Sequence, residues 1–398
     1  MTAIAYDNLT ASPRRLWPAV VALGAALLAG GVAVLVIEAQ GHHVTGMTNR
    51  VPWGLPHVVA YFLILAASGA LNVAMVASVF RQKAYAPLAP FSALLAIALL
   101  AGGLSILVLD LGRPDRLTLT MQSPNPRSIF AWNVVLYTGF VAITAAYLVT
   151  LLDRRFARFF GVTSNAAFLW RFVLTTGTGL DLGILIAREA LNSAIFAPMF
   201  ISFSLTFGLA VFLLLLPAAA WLSGGAPDQA MMQRLGRLLA LFVAVSFYLS
   251  AVLHAFNLYA VPTRSLEQFL LVQGGLYTVL FWVGQVLLGT VAALLLVYRK
   301  QPIAAAAAVV LGALATLYLY VIASQAYPQP VLPGLQVTSA WGDGVVASYV
   351  PSAAEFFLGL GGVAVALAAL LAGCLLFRIV PIDIARGAAP SAALRAAA

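Results

Sequence analysis

One cysteine, Cys374, and four histidines stand in 398 residues. A single thiol forms no intrachain disulfide, and it cannot hold an iron–sulfur cluster, which draws about four thiolates from its protein. Charge is also scarce, at 8% of the chain, whereas a soluble domain carries about 25%. The 21 Lys and Arg outnumber 12 acids to give a net charge of +9. These cations are scattered over loop ends, without the basic, aromatic-interleaved face that nucleic acid binding requires. Walker, dinucleotide-binding, nucleophile-elbow and zinc patterns are missing too, so no soluble catalytic centre of those kinds is indicated.

What fills the sequence is long apolar runs. Hydrophobic residues make up 63% of it and the mean hydropathy is +1.01, which indicates an all-α polytopic membrane protein. Hydropathy predicts ten spans, at 17–39, 55–80, 88–109, 129–152, 167–187, 195–222, 238–261, 269–298, 303–325 and 352–380, each able to cross about 30 Å of hydrocarbon. The first follows Arg14 and Arg15, but its apolar run exceeds the roughly 7–15 residues of a signal peptide core, so it is expected to be an uncleaved anchor. The expected organisation is a cytoplasmic N-terminal segment, 1–16, a ten-helix domain, 17–380, and a disordered cytoplasmic tail, 381–398, rich in Ala, Ser and Pro. Cys374, inside an apolar run, is expected to be a small core hydrophobe.

Fourteen Lys and Arg fall on the N-terminus, the even loops and the tail, against six on the odd loops: Arg50, Arg113, Arg116, Arg127, Arg188 and Arg264. That bias predicts both termini in the cytoplasm, and Arg171, expected at the cytoplasmic start of span five, adds to it. Glu38, Asp110, Asp115, Glu189, Glu267, Asp343 and Glu355, with His42, His43, His57 and His254, fall at the outer face. Titratable chemistry is thus concentrated on one side, although any single one of these residues can also be ordinary loop polarity.

The stretch "VLDLGRPDRL" (Val108 to Leu117) sets four charges directly after an apolar run. Gly112 and Pro114 break the helix there, and Asp110, Arg113, Asp115 and Arg116 are expected to pair with one another. The combination of "VPWGLPHVVAYFLI" (from Val51), "LDLGRPDR" (from Leu109), "SPNPRSIFAW" (from Ser123), "FAPMF" (from Phe196) and "SYVPSAAEFFLGLGG" (from Ser348) resembles the polysulfide-reductase membrane subunit family, the NrfD-like proteins, in its ten-span branch. That branch includes the membrane subunit of a quinone-linked hydrogenase and subunits of alternative complex III.

The resemblance implies a subunit without haem or an iron–sulfur cluster of its own that binds a quinone, menaquinone or ubiquinone, near the outer face of a bacterial cytoplasmic membrane. Its implied partners are an extrinsic ferredoxin-like iron–sulfur subunit of the four-cluster type and a molybdopterin-type catalytic subunit, in a respiratory complex that acts on an unidentified compound, for which sulfur chemistry is a family-level expectation.

A quinone couple exchanges two electrons and two protons, so its site needs donors for two carbonyl oxygens and a proton acceptor. His57 suits that role because its pKa lies nearest neutrality; facing water at the interface is the competing role. Trp53 can pack on a ring or belong to an interfacial belt. Asp110 and Arg113 shape the site, dock a partner, or form a structural ion pair. Arg188 and Glu189 join the same region or cap and snorkel at a helix end. His254 contacts the quinone or the partner; haem ligation with His57 is disfavoured because the cytoplasmic half has no histidine pair. Asp181, with Thr178 beneath it, is a candidate proton path, or a bridge between helices. Gln285 stands where relatives have a glutamate, which puts a proton path through span eight in doubt. Glu355, three after Ser352, fits a helix capping box.

Two other classes stay open. A secondary transporter would use Asp181 and Gln285 at the midplane, and a purely structural anchor would tolerate changes at His57 and Asp110.

Overall fold

The computed structural model describes residues 6–7, 9, 12–185, 188, 191–328 and 344–381. Ten long helices make up most of it: α1 (Pro13–Gln40), α2 (Leu55–Ser78), α3 (Ala89–Leu109), α4 (Ile129–Leu152), α5 (Phe160–Gly183), α6 (Phe196–Leu222), α7 (Gln229–Tyr259), α8 (Leu276–Tyr298), α9 (Pro302–Ala326) and α10 (Ala353–Leu376). They correspond one for one to the expected spans. Among the described residues, nine are long and apolar enough to cross a membrane. The tenth, α5, has 24 residues but carries Ser164, Asn165, Arg171, Asp181 and four threonines, and it lies against α4 and α6. The protein is an all-α polytopic membrane protein. Its one strand pair among the described residues joins Tyr6–Asp7 to Val380–Pro381.

Several helices start earlier than hydropathy predicts, because polar first turns are helical without being apolar. Pro13 opens α1, a position where the missing N–H costs nothing, and Arg14 and Arg15 ride in that turn. The Asp228 carboxylate accepts the Ala230 N–H at 2.9 Å to cap α7, a favoured N-cap arrangement. The start of α5 at Phe160 corrects one expectation. Arg171 is not at a helix end but at the middle of α5, where its side chain is buried. Its guanidinium lies 4.2 Å from the Phe172 ring centroid, with Nη1 3.4 Å from the Ser68 carbonyl oxygen. It therefore says nothing about orientation.

The helices form two groups, α2–α5 and α6–α9, that meet along α2 and α6. Gly69 and Gly208 make this seam: a Cβ on either would run into the other helix's backbone. Helix α10 packs on α3, and α1 packs on α10, where a Cβ on Gly30 would lie 2.7 Å from Gly361 Cα. Small residues let membrane helices approach this closely, since apolar burial gives little drive between helices in lipid. Helix α2 is enclosed on nearly all sides, whereas α1, α7 and α8 point large apolar side chains outward, among them Leu28, Leu35, Phe256 and Leu295. Cys374 is buried as a core residue.

One end of the bundle gathers the starts of α2, α4, α6, α8 and α10 with the ends of the other five, and all four histidines lie there. The described segments before α1 and after α10 meet at the opposite end, where the Leu9 N–H donates to the Cys374 carbonyl at 2.8 Å. The expected tail, 381–398, falls outside the described residues beyond Pro381, as do parts of the expected segment 1–16.

Candidate functional site

At the histidine-bearing end, the first turn of α2 meets the last of α3. Asp110 caps α3, its N–H donating to Ile106 O at 3.0 Å, and its side chain turns inward at 2% exposure. Oδ2 stands 3.3 Å from His57 Nδ1, and Oδ1 stands 3.7 Å from His42 Nε2. His42 Nε2 also donates to the Asp110 carbonyl at 3.1 Å. Trp53 stacks on His57 with ring centroids 6.1 Å apart and planes 19° apart, and Phe130 meets the Trp53 edge. The structure therefore brings Trp53 and His57 together with Asp110, which lies 53 residues beyond His57 in the chain.

Gly112 makes the corner achievable. Its φ of +69° suits glycine, and a Cβ there would press on the His42 ring at 3.0 Å. Burial pushes the Asp110 carboxyl up to about 6, a rise that His42 opposes and Glu355 adds to. His57 Nδ1 and both Asp110 carboxyl oxygens are buried without a well-formed hydrogen bond. Native structures leave few such groups, so this acid–base pair has unused bonding capacity. Leu111, next to Asp110, and Phe130, on the Trp53 edge, are exposed apolar groups beside the pair.

Arg113 is placed elsewhere. It forms a bidentate pair with Asp115, both contacts at 3.0 Å, with both side chains well exposed. The expected mutual pairing of the loop is corrected to this extent: α3 ends at Leu109 and turns Asp110 inward, while the tight turn at Pro114 throws Arg113 and Asp115 outward. Arg188 lies beside the corner and donates to the carbonyls of Gln325 (3.2 Å) and Arg50 (3.0 Å); burial, then the nearby Arg50, lowers its pKa. Gln325 in turn clasps Trp53, with Oε1 accepting the Trp53 N–H and Nε2 donating to the Trp53 carbonyl, both at 3.1 Å. Glu189 lies outside the described residues.

His254 belongs to a separate cluster. Its Nδ1 is 2.6 Å from Glu267 Oε1, Asn257 Nδ2 donates to Glu267 Oε2 at 3.3 Å, and the Tyr320 hydroxyl lies 3.4 Å from Nε2. Among the described residues, no hydrogen bond, ion pair or ring contact joins His254 to Trp53, His57 or Asp110. Deeper in the first group, Asn133 Nδ2 donates to Asp181 Oδ2 at 2.6 Å, Oδ1 has no partner, and Tyr61 and Tyr137 are close enough to couple to the acid. Thr178 donates to Leu174 O at 2.9 Å and faces Tyr137. Tyr61 stands one helical turn beyond His57 on α2.

Glu355 does form the capping box with Ser352, and it does more. Fully buried, it also accepts the Gly46 N–H and the Tyr349 hydroxyl, each at 2.7 Å, while the Leu55 N–H donates to Tyr349 at 2.6 Å. It thus ties α10 to the loop that carries Trp53. Sequence reasoning missed Tyr61, Asn133, Tyr137, Tyr320, Gln325 and Tyr349, and treated Glu267 only as an outer acid. Spacing offered a weak signal for three of them, since His57 and Tyr61, like Asn133 and Tyr137, are four apart and share helix faces.

The sequence profile of the polysulphide reductase, NrfD, family matches residues 43–329, the stretch that holds α2–α9. An Hdr-like menaquinol oxidoreductase integral membrane subunit of Archaeoglobus fulgidus is 26% identical, over 95% of this chain and 97% of that one. A selenate reductase subunit from Mesobacillus selenatarsenatis is 23% identical over 84% and 87%. A putative dimethyl sulfoxide reductase membrane subunit from Halobacterium salinarum is 27% identical over 95% and 93%. With its two central helix groups inside the matched stretch, the chain belongs to the polysulphide reductase NrfD family.

Proposed function

We propose that this chain is the quinone-interacting membrane subunit of a multisubunit oxidoreductase and that the quinone ring seats at Trp53, His57 and Asp110. The observation that carries the reading is the under-bonded His57–Asp110 pair beside a stacked tryptophan, where the start of α2 meets the end of α3. The menaquinol oxidoreductase relative supports it. A quinone supplies, when bound, a couple of two electrons and two protons.

The chain's own residues do the rest. His57 and Asp110 hold the ring's oxygens and exchange a proton with them, and a carboxyl with pKa about 6 can both give and take a proton near neutrality. Trp53 packs on the ring, and its place is set by Gln325 and Arg188. Tyr61, Asp181, Asn133 and Thr178 continue the polar line inward as a proton path. Arg113, Asp115 and Arg188 present charge on the same face, where the extrinsic ferredoxin-like iron–sulfur subunit docks and passes electrons to or from a molybdopterin-type catalytic subunit. In this reading that face is the outer one of the bacterial cytoplasmic membrane, with both termini in the cytoplasm.

A photoreactive azido-quinone tests the placement. Mapped by mass spectrometry, label is expected on peptides spanning residues 47–64 and 106–113; label confined to α6–α9 would move the site to the second group.

A further inference from the structure

Asp110 does not meet water by itself. Both of its carboxyl oxygens are buried without a hydrogen bond, so a proton reaches or leaves them only through a neighbour. Two imidazoles stand beside it, one at each oxygen. His57 Nδ1, 3.3 Å from Oδ2, is itself buried, and Trp53 stacks on its ring. His42 Nε2, 3.7 Å from Oδ1, belongs to a side chain that is 38% exposed, against 19% for His57. The carboxyl therefore lies between an inner histidine and an outer one.

The outer histidine is held in place by its own segment. Helix α1 ends at Gln40, and Gly41, at φ +87°, turns the chain into one tight turn over His42–Val44. Thr45 fixes the backbone under the ring, its hydroxyl and its N–H donating to the His42 carbonyl at 2.6 and 3.0 Å. On the other side Gly112 leaves room for the ring, and the Asp110 carbonyl accepts from Nε2. His43, the next residue, is simply exposed.

An imidazole passes protons because one can enter at one nitrogen while another leaves from the second. With Nε2–H toward Asp110, as the bond to its carbonyl requires, Nδ1 can take a proton from water while Nε2 gives its own to Oδ1. The carboxyl is then protonated, and the neutral ring carries its proton on Nδ1. That state is set for the reverse, in which Oδ1 returns a proton to Nε2 and Nδ1 releases one to water. Only protons move, and none is lost. Closing the 3.7 Å gap to the roughly 3.2 Å limit of a hydrogen bond takes a shift of about 0.5 Å. Glu355, from α10, raises the Asp110 pKa and His42 opposes that rise, so ring and carboxyl already sense each other's charge.

We propose that His42 is a proton relay, carrying protons between the buried Asp110 carboxyl and water at the histidine-bearing end. Its use in turnover rests on the quinone reading, but the relay itself is tested without a quinone. The full chain in nanodiscs is stepped from pH 5 to pH 7.5 and followed by time-resolved infrared spectroscopy. Decay of the protonated-carboxyl band, assigned to Asp110 by its absence in Asp110→Asn, gives the exchange rate. In His42→Ala and in His42→Gln, which keeps a donor for the Asp110 carbonyl, the decay should be at least tenfold slower than in wild type. Added imidazole should restore the rate in His42→Ala, a rescue that a merely structural role would not show. His43→Ala should decay as wild type does, and His57→Phe should slow the decay less than His42→Ala. A wild-type rate in either His42 variant, slowing that imidazole leaves unchanged, a larger effect of His57→Phe, or no Asp110 band at pH 5 would overturn the proposal. Such a failure would leave azido-quinone labelling, and with it the quinone reading, untouched.

Discussion

Asp110 is a residue whose burial sets its chemistry. Its pKa, raised from 3.8 to about 6, means that the folded protein holds this proton more tightly than the unfolded chain does. The associated stability is fully present below about pH 3.8 and is lost as pH rises through 6. Asp110→Asn imitates the protonated form. It should match wild type in thermal midpoint near pH 3 and exceed it at pH 7.5, by at most about 3 kcal/mol, as 1.36 kcal/mol per pKa unit implies, with about half of that gap already open at pH 5. Melting in nanodiscs across that range checks this, and a variant less stable than wild type at pH 7.5 would show that the charged carboxylate is satisfied. A site that costs stability in its working state is what catalytic or binding demands produce.

At this scale the sequence was only partly legible. His57, Trp53 and Asp110 stood out because histidine is rare and because charge follows an apolar run. Their pairing did not, since it joins positions about fifty residues apart through the packing of α2 on α3. Arg113 looked like the partner of Asp110 by proximity alone, and the turn at Pro114 separates them. Glu267 looked like a loop acid until the fold set it on His254.

At the scale of elements, helix ends carry the information. The capping box at α10 was readable from Ser-x-x-Glu, but the reach of Glu355 to Gly46 and Tyr349 was not, because the first of those contacts crosses about three hundred residues of chain. The two roles separate by mutation. Ser352→Ala should cost about 1 kcal/mol, the usual loss of a cap. Glu355→Ala should cost about 3 kcal/mol or more, because it strands buried donors as well. Thermal melts and proteolysis of the loop at residues 44–54 check the pair; equal effects would mean that Glu355 only caps. Helix starts were misplaced by hydropathy where polar residues interrupt the opening turns, Thr163, Ser164 and Asn165 in α5 and Gln229, Gln233 and Arg234 in α7, and at α5 that error hid the burial of Arg171.

On the scale of the whole molecule, the ten helices were legible from apolar run length, since backbone groups in lipid must be satisfied within the helix. Their division into two groups was not, because it depends on Gly69 and Gly208, two among 32 glycines. Gly208→Leu should force α2 and α6 apart, so that the chain loses its monodisperse elution peak in detergent, while Gly31→Leu, which faces open space, should elute as wild type. A normal peak for Gly208→Leu would disprove the tight seam.

The central claim is a quinone at the corner of α2 and α3. The most direct measurement is binding of a fluorescent quinol analogue to the full chain in nanodiscs, followed by quenching, for wild type, His57→Ala, Asp110→Asn and His254→Ala. The account predicts saturable binding to wild type and to His254→Ala, with affinity at least tenfold weaker in the His57 and Asp110 variants. Absence of binding to wild type, or equal binding in all four proteins, would contradict it.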